Sequence, residues 1–448
     1  MDSDSLIASS ATEATRLLQQ GALPVHDYAR ALLDRVERIE PQVQAWTYLD
    51  AEHVLAQAAE ADDRRRHGLP GGPLFGLPVG IKDIIDVAGM PTEDGTVLHA
   101  GRMPGEDAAL VAALRRAGAL PMGKTVTTEL ATYAAGKTRN PHDPSHTPGG
   151  SSSGSAAAVA SGMVPLAIGT QTNGSVIRPA AFCGVVGYKP TFGCIPRAGV
   201  LTQSPPLDQV GVFARTVEDV ALLAQVLFGH DVRDPHTRAR PTPPLRRVAC
   251  EDPPLPPRLA WVRTPWWERV DADAQAAFGE LIEVLGESVI PFELPASASE
   301  VLGWHRTIME ADIAGSYELE YERGRDRLSN SLREQIERGR SVTAVDYRQA
   351  LARIPLLNDG FEGLFEKFDA ILTPATLGAA PKFEAGTGDP LMCTLWTFCG
   401  MPAVSLPLLH GASGLPIGVQ LVGRRGDDAR LLRNARWLTE HVRTAQQG

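Results

Sequence analysis

Chemistry in this sequence concentrates in two clusters of small, hydroxyl-bearing residues. The first is Gly149-Gly150-Ser151-Ser152-Ser153-Gly154-Ser155, the second Thr172-Asn173-Gly174-Ser175, and Ser151 and Ser175 stand 24 residues apart. Glycine permits backbone shapes and close approaches that a Cβ blocks, so both clusters can bring hydroxyls and backbone N–H groups against a small molecule. A serine hydroxyl is a weak nucleophile and needs a base within about 2.6–3.2 Å. Lys82 is a candidate, because it ends the apolar run from Leu77 to Ile81. A free lysine has a pKa of about 10.4, and each unit of lowering takes about 1.4 kcal/mol, which burial can supply. The plainer reading of Lys82 is a surface lysine paired with Asp83 or Asp86.

Other chemistries fit these residues less well. A phosphate-cradling loop needs Lys-Ser or Lys-Thr after its last glycine, whereas Gly154 is followed by Ser155-Ala156. Residues 150–154 match the G-x-S-x-G nucleophile elbow of α/β-hydrolases, with Ser152 as nucleophile, but that elbow sits between a strand and a helix. The approach NPHDPSHTPGG holds three prolines and no apolar run. His142 and His146 have the i, i+4 spacing of a zinc helix, yet Pro144 lies between them and no Glu follows His142, so no metal is expected. Glu129, Tyr133 and Thr138, ahead of the serine block, either line a substrate cleft or pack that segment.

The elements that must position these residues read as an α/β fold. Residues 5–67 show helical periodicity and predict a helical N-terminal arm. From Leu74 the texture turns to short apolar runs alternating with helices, LPVGI, then DAALVAALRRAG, then ALPMG, which suggests βαβ units in one sheet. The stretch Arg238 to Arg258 is rich in Pro and Arg and reads as a long surface connection without helix or inner strand. Residues 271–367 read as mainly helical. DAILTP, AVSLPL and PIGVQLVG then read as returning strands, followed by an amphipathic helix from Asp427 to Val442. One domain over 1–448 is expected, divided into a helical arm (1–70), a core with the chemical residues (71–235), a mainly helical insertion (236–367) and a return to the sheet (368–448).

Composition sets the outer limits. The 448 residues carry 43 Lys plus Arg against 53 Asp plus Glu, a formal charge of −10, which opposes non-specific binding to nucleic acid or anionic membranes. The five cysteines are scattered without C-x-x-C spacing, so a disulfide framework is not expected and a reducing cytoplasm fits. The first twenty residues lack the basic and apolar regions of a signal peptide, and no run of about 18 apolar residues predicts a membrane span.

Three ordered blocks resemble the amidase-signature family: GLPVGIKDIIDVAGMPTEDGT (76–96), the Gly/Ser block through GYKPT (147–191), and FDAILTPAT with CGMPAVSLP and GLPIGVQLVG. The likeness runs from about Leu74 to the C-terminal helix and implies a large mixed, twisted β-sheet flanked by helices on both faces. It places the family's lysine on Lys82, its bridging serine, which takes a cis peptide, on Ser151, and its nucleophile on Ser175. Backbone N–H groups around Thr172, Asn173, Gly174 and Ser175 would form the oxyanion hole, and Tyr133, Gly149 and Gly150 would touch substrate. Where the family has Asp-x-Gly-Gly-Ser-x-Arg, this chain has Gln171-Thr172-Asn173-Gly174-Ser175-Val176-Ile177, with the arginine one place later at Arg178. The acidic and basic members have left together, as expected if they normally pair.

The resemblance implies an amidohydrolase that forms an acyl-enzyme on Ser175, with Lys82 acting through Ser151 and no cofactor. Its substrate would be a small amide, aryl amide, carbamate or ester. The block QTNGSVIRP looks closer to broad-specificity members, including aryl-acylamidases and urethane-cleaving enzymes, than to the glutamine-dependent component of tRNA amidotransferases. That component is the alternative, together with an esterase using Ser152. Family members are often homodimers, and a homodimer is the corresponding expectation here.

Overall fold

The computed structural model describes residues 3–69 and 71–447; residues 1, 2 and 70 of the expected arm lie outside it. Eleven strands form one mixed sheet: β1 Trp46–Leu49, β2 Pro78–Lys82, β3 Leu120–Thr125, β4 Leu166–Gln171, β5 Val186–Lys189, β6 Gln209–Ala214, β7 Leu259–Val262, β8 Val289–Phe292, β9 Ala370–Pro374, β10 Ala403–His410 and β11 Pro416–Val422. Their order is β1-β3-β2-β4-β6-β5-β10-β11-β9-β7-β8. The β2–β3, β2–β4, β7–β8 and β7–β9 pairs are parallel, and the remaining pairs antiparallel. Strands β2, β3, β4, β6, β9 and β11 are buried at every residue. Helices therefore cover both faces, which is why these strands read as continuous apolar runs rather than alternating ones.

The first βαβ unit forms as its sequence suggests: β2, the helix Ala109–Arg116, then β3 beside β2 in parallel. The arm differs from expectation in one respect. Between its helices Val25–Val43 and Ala51–Arg66 lies β1, antiparallel to β3 at the sheet edge. Four residues are too few for a period-2 pattern to stand out between two long helices. Trp46 holds the strand in place, with its indole N–H 3.3 Å from the sulfur of Met163. The arm is tied down from far along the chain, since the Asp219 carboxylate accepts the N–H groups of Ala11 (2.9 Å) and Thr12 (2.8 Å).

The Arg238–Arg258 connection holds a helix after all, Leu245–Ala249, contrary to the reading of that stretch as helix-free. Its prolines lie before and after LRRVA, and Pro244 at the N-cap removes only a donor that the first turn leaves free anyway. Leu245 and Ala249, four apart on one face, are both buried. The mainly helical region that follows also contributes β7 and β8 to the sheet edge. Its helices Val301–Ser316, Asn330–Arg340 and Ala344–Phe365 share an apolar cluster with the helix Leu391–Phe398, where Phe361 meets Trp396 edge-on at 5.6 Å. The last helix spans Asp428–Gln447, and its buried first residue accepts hydrogen bonds from Tyr188 Oη (2.6 Å) and Thr191 N (2.8 Å). Among the described residues, no helix is long and apolar enough to cross a membrane.

Candidate functional site

The site forms where the parallel strands β2 and β4 end side by side. Their register sets Ile81 opposite Ile168, so Lys82 and Thr170 emerge together at the same end of the sheet. Lys82 is fully buried. Its Nζ donates to Ser151 Oγ at 2.7 Å and to Thr170 Oγ1 at 2.8 Å. The neighbouring carboxylates are engaged elsewhere, Asp83 with Lys124 (3.2 Å) and Asp86 with Arg102 (2.7 Å), so the surface-lysine reading does not describe this structure. Burial without an anion in contact pushes the Lys82 pKa well below its ordinary value, with the nearby charge of Asp208 opposing. A lysine so placed can exist as the neutral amine and accept a proton through a hydroxyl.

Ser151 follows a cis Gly150–Ser151 peptide and is buried. Its neighbour Ser152 is spent on β4, where its Oγ donates to Thr170 O (3.1 Å) and accepts from Thr170 N (3.2 Å). No strand leads into Ser152, and the helix Ser153–Ala160 starts directly after it. The nucleophile elbow is thereby corrected: its strand-turn-helix frame is missing, and its hydroxyl is fully buried and occupied.

Ser175 closes the second cluster, just ahead of the helix Ile177–Cys183. It is 8% exposed, and no described residue hydrogen-bonds its hydroxyl. The first three carbonyls of the turn are each held by a neighbouring group. His305 Nε2 lies 2.9 Å from Thr172 O, Thr397 Oγ1 donates to Asn173 O at 2.5 Å, and Arg178 N donates to Gly174 O at 2.9 Å. Burial pulls the His305 pKa down to about 4, so near neutrality it is the neutral imidazole and its Nε2 must carry the proton it donates. Among the described residues, the N–H groups of Thr172, Asn173, Gly174 and Ser175 donate to nothing. With three of the carbonyls pinned, these N–H groups are held in place and left without an acceptor in the fold.

Gln171 stands where the family's acidic residue does. Its Oε1 accepts from Val176 N (2.8 Å) and Ile177 N (3.0 Å), and its Nε2 donates to Thr397 Oγ1 (2.8 Å). An amide oxygen thus does the accepting that a carboxylate could do, without bringing a buried charge. Arg178 is buried and donates from Nη2 to Gly150 O (2.7 Å) and Thr387 Oγ1 (3.3 Å). No described carboxylate lies within ion-pair distance of it, so the changed motif carries a cation without the anion the family pattern would supply.

Asn173 and Tyr133 line a cleft of about 450 Å³ together with His305, Met309 and Thr394. The Tyr133 hydroxyl accepts from Asn173 Nδ2 at 3.2 Å. Two ion pairs, Arg269–Asp389 and Arg338–Glu310, both at 2.7 Å, stand at the cleft, and Arg306 lines it too, so the lining carries three arginines against two carboxylates. Thr170 and Thr172 line a second cavity of about 460 Å³. Gly149 and Gly150 sit beside Ser151 but are close-packed: a Cβ would lie 2.8 Å from Pro179 Cα at the first and 2.7 Å from Thr387 Cγ2 at the second. Glu129 accepts from Ser329 N (3.1 Å) and Thr138 donates to Gln44 O (2.8 Å), so these two serve packing rather than the cleft. His142 Nε2 meets Cys183 O at 2.9 Å and His146 Nδ1 meets Asp143 at 2.8 Å, which are local loop contacts. Thr170, Asp208, His305 and Thr397 did not stand out in the sequence. The first is one threonine in an apolar strand, and the others reach the turn from 36, 133 and 224 residues away.

The Amidase family model matches residues 27–432, and the chain belongs to that family of enzymes acting on C–N bonds. The A subunit of glutamyl-tRNA(Gln) amidotransferase from Symbiobacterium thermophilum is 36% identical over 473 residues, covering 97% of this chain and 96% of that one. The peptide amidase of Stenotrophomonas maltophilia superposes with a TM-score of 0.86 at 28% identity over 97% of both chains. A chain from a vestigial protein complex, described for the origins of an s-triazine catabolic enzyme, superposes with a TM-score of 0.91 at 27% identity, covering 96% of this chain and 98% of that one.

Proposed function

We propose that the chain hydrolyses amide-type C–N bonds of a small carboxamide, aryl amide or carbamate through an acyl-enzyme on Ser175. The observation that carries the reading is the contact set of Lys82: a fully buried amine held by the hydroxyls of Ser151 and Thr170, with no carboxylate touching it. In the proposed cycle Ser175 loses its proton to Ser151 as Ser151 passes its own to Lys82. Ser175 Oγ attacks the carbonyl, and the N–H groups of the Thr172–Ser175 turn receive the oxyanion. Ser151 then returns the proton to the leaving amine, and water repeats the sequence to free the acid.

The name of the relative at 36% identity supports a second reading, a glutaminase-type component that works with partner chains. Assay of the purified chain against anilides, primary amides, aryl carbamates and glutamine, with Ser175→Ala alongside, separates the two. Turnover of simple amides by the chain alone, lost in Ser175→Ala, supports the first reading. Ammonia release from glutamine only when partner chains are present supports the second and refutes the first.

A further inference from the structure

The Thr172–Ser175 turn is held from two sides at its first residue. His305, on the helix Val301–Ser316, meets the carbonyl of Thr172. On the side chain, Thr172 Oγ1 lies 2.6 Å from Asp208 Oδ1 and 3.0 Å from Gln203 Oε1, both acceptors for its one proton, with the carboxylate the nearer. The antiparallel register of β4 and β6 sets Gln171 opposite Gln209, which brings Asp208 alongside Thr172. The other carboxylate oxygen accepts from Gln203 N (2.8 Å) and Ser204 N (2.9 Å), so Asp208 is anchored before it reaches the turn. It is 9% exposed and has no ion pair in contact. Arg197, paired with Asp234, donates from Nη1 to the backbone carbonyl of Asp208 at 2.9 Å and acts on the carboxylate by charge, and Lys82 and Tyr317 feel the carboxylate too. Burial raises its pKa to about 6, against the pull of those hydrogen bonds.

We infer that Asp208 is a positioning residue for the reaction proposed above: its carboxylate fixes Thr172 and, through it, the N–H groups that meet the oxyanion. The inference rests on that reading of Ser175. Asp208 also raises the pKa of Lys82 by charge, which by itself works against the base. The two roles therefore predict opposite effects of removing the charge. A purely electrostatic Asp208 would, once neutralised, leave more Lys82 in the amine form and raise activity wherever the native carboxylate is ionised. A positioning Asp208 would lower kcat at every pH, because displacing the donors by a fraction of an ångström weakens the interaction that matters in the transition state.

The test uses Asp208→Asn, whose amide oxygen can still accept from Gln203 N and Ser204 N while its NH₂ faces Thr172 Oγ1 as a donor, which turns the Thr172 proton from the carboxylate to Gln203 Oε1 and shifts the first residue of the turn. Thr172→Val is the second variant. Active sites are counted by the burst of p-nitrophenol from p-nitrophenyl acetate, and kcat is expressed per active site. Asp208→Asn is expected to lower kcat about 10–100-fold with KM within about threefold, scaled from the loss of an oxyanion donor. Thr172→Val should do the same, and the double variant should be no worse than Thr172→Val, since the two act in one chain. A native kcat per active site in Asp208→Asn, a gain of activity at any pH, or additive losses in the double variant would overturn the inference. Turnover that survives Ser175→Ala refutes the function instead, whereas a dead Ser175→Ala beside a native-like Asp208→Asn refutes only the role of Asp208.

Discussion

Replacing Lys82 with Met should abolish activity and, at the same time, make the protein more stable. Keeping Lys82 buried as the neutral amine costs the free energy of discharging it from its ordinary pKa, on the order of several kcal/mol at neutral pH. Met is of similar length and removes that penalty. Against this, Ser151 Oγ and Thr170 Oγ1 each lose a donor, at about 1 kcal/mol apiece. The net expectation is a gain of about 2 kcal/mol at neutral pH. With an unfolding entropy of about 2.1 cal/mol/K per residue, a chain of this size should gain roughly 2 °C in Tm.

The pH dependence gives the sharper form. Burial lowers the Lys82 pKa in the fold, so between that value and the ordinary 10.5 the unfolded chain binds the extra proton, and native stability rises with pH. Below the folded value the penalty is fully present, and it vanishes as pH approaches 10.5. Lys124 and Lys189 are also buried with lowered pKa values, but both chains share them and they cancel in the difference. The advantage of Lys82→Met should therefore be largest near pH 7 and shrink steadily toward pH 10. Thermal unfolding of both chains at pH 7, 8, 9 and 10 reads it directly. A Lys82→Met chain that is less stable at pH 7, or whose advantage does not change with pH, would mean that Lys82 is an ordinary paired cation.

Two further outcomes follow from neighbouring contacts. Asp83→Ala leaves the buried Lys124 without its carboxylate and should cost about 3–5 kcal/mol, measured by chemical denaturation; a loss under about 1 kcal/mol contradicts the pairing. Gly154→Ala would set a Cβ 2.3 Å from Ala45 O and 2.4 Å from Val126 N, both backbone atoms, so the arm or the helix Ser153–Ala160 must shift. It should lose about 1–3 kcal/mol or more, and a native melting temperature would show that this region yields more easily than its packing implies.

The sequence makes legible what local pattern encodes. Lys82 at the end of an apolar strand and two Gly/Ser clusters can be read directly, and the structure brings Lys82 and Ser151 to 2.7 Å. The central strands show as apolar runs because helices bury both faces. What escapes is set by tertiary contact. β1 is four residues whose strand character comes from pairing with β3, and the helix Leu245–Ala249 depends on where the surrounding prolines fall. Asp208, His305 and Thr397 act on the Thr172–Ser175 turn through single hydrogen bonds from distant parts of the chain, and no local spacing reports such a contact. The reading of Arg178 and the residue at 171 as a pair that moved together is half visible: Gln171 keeps the accepting role, while Arg178 lies buried on Gly150 O without a carboxylate.

The central claim is that Ser175 carries the acyl group. The most direct measurement is mass spectrometry of the peptides from protein quenched during turnover of a slowly deacylated aryl carbamate. One added carbamoyl mass is expected on the peptide containing Ser175, absent in Ser175→Ala and formed far more slowly in Lys82→Met. The same mass on the peptide containing Ser152, or its persistence in Ser175→Ala, would contradict it.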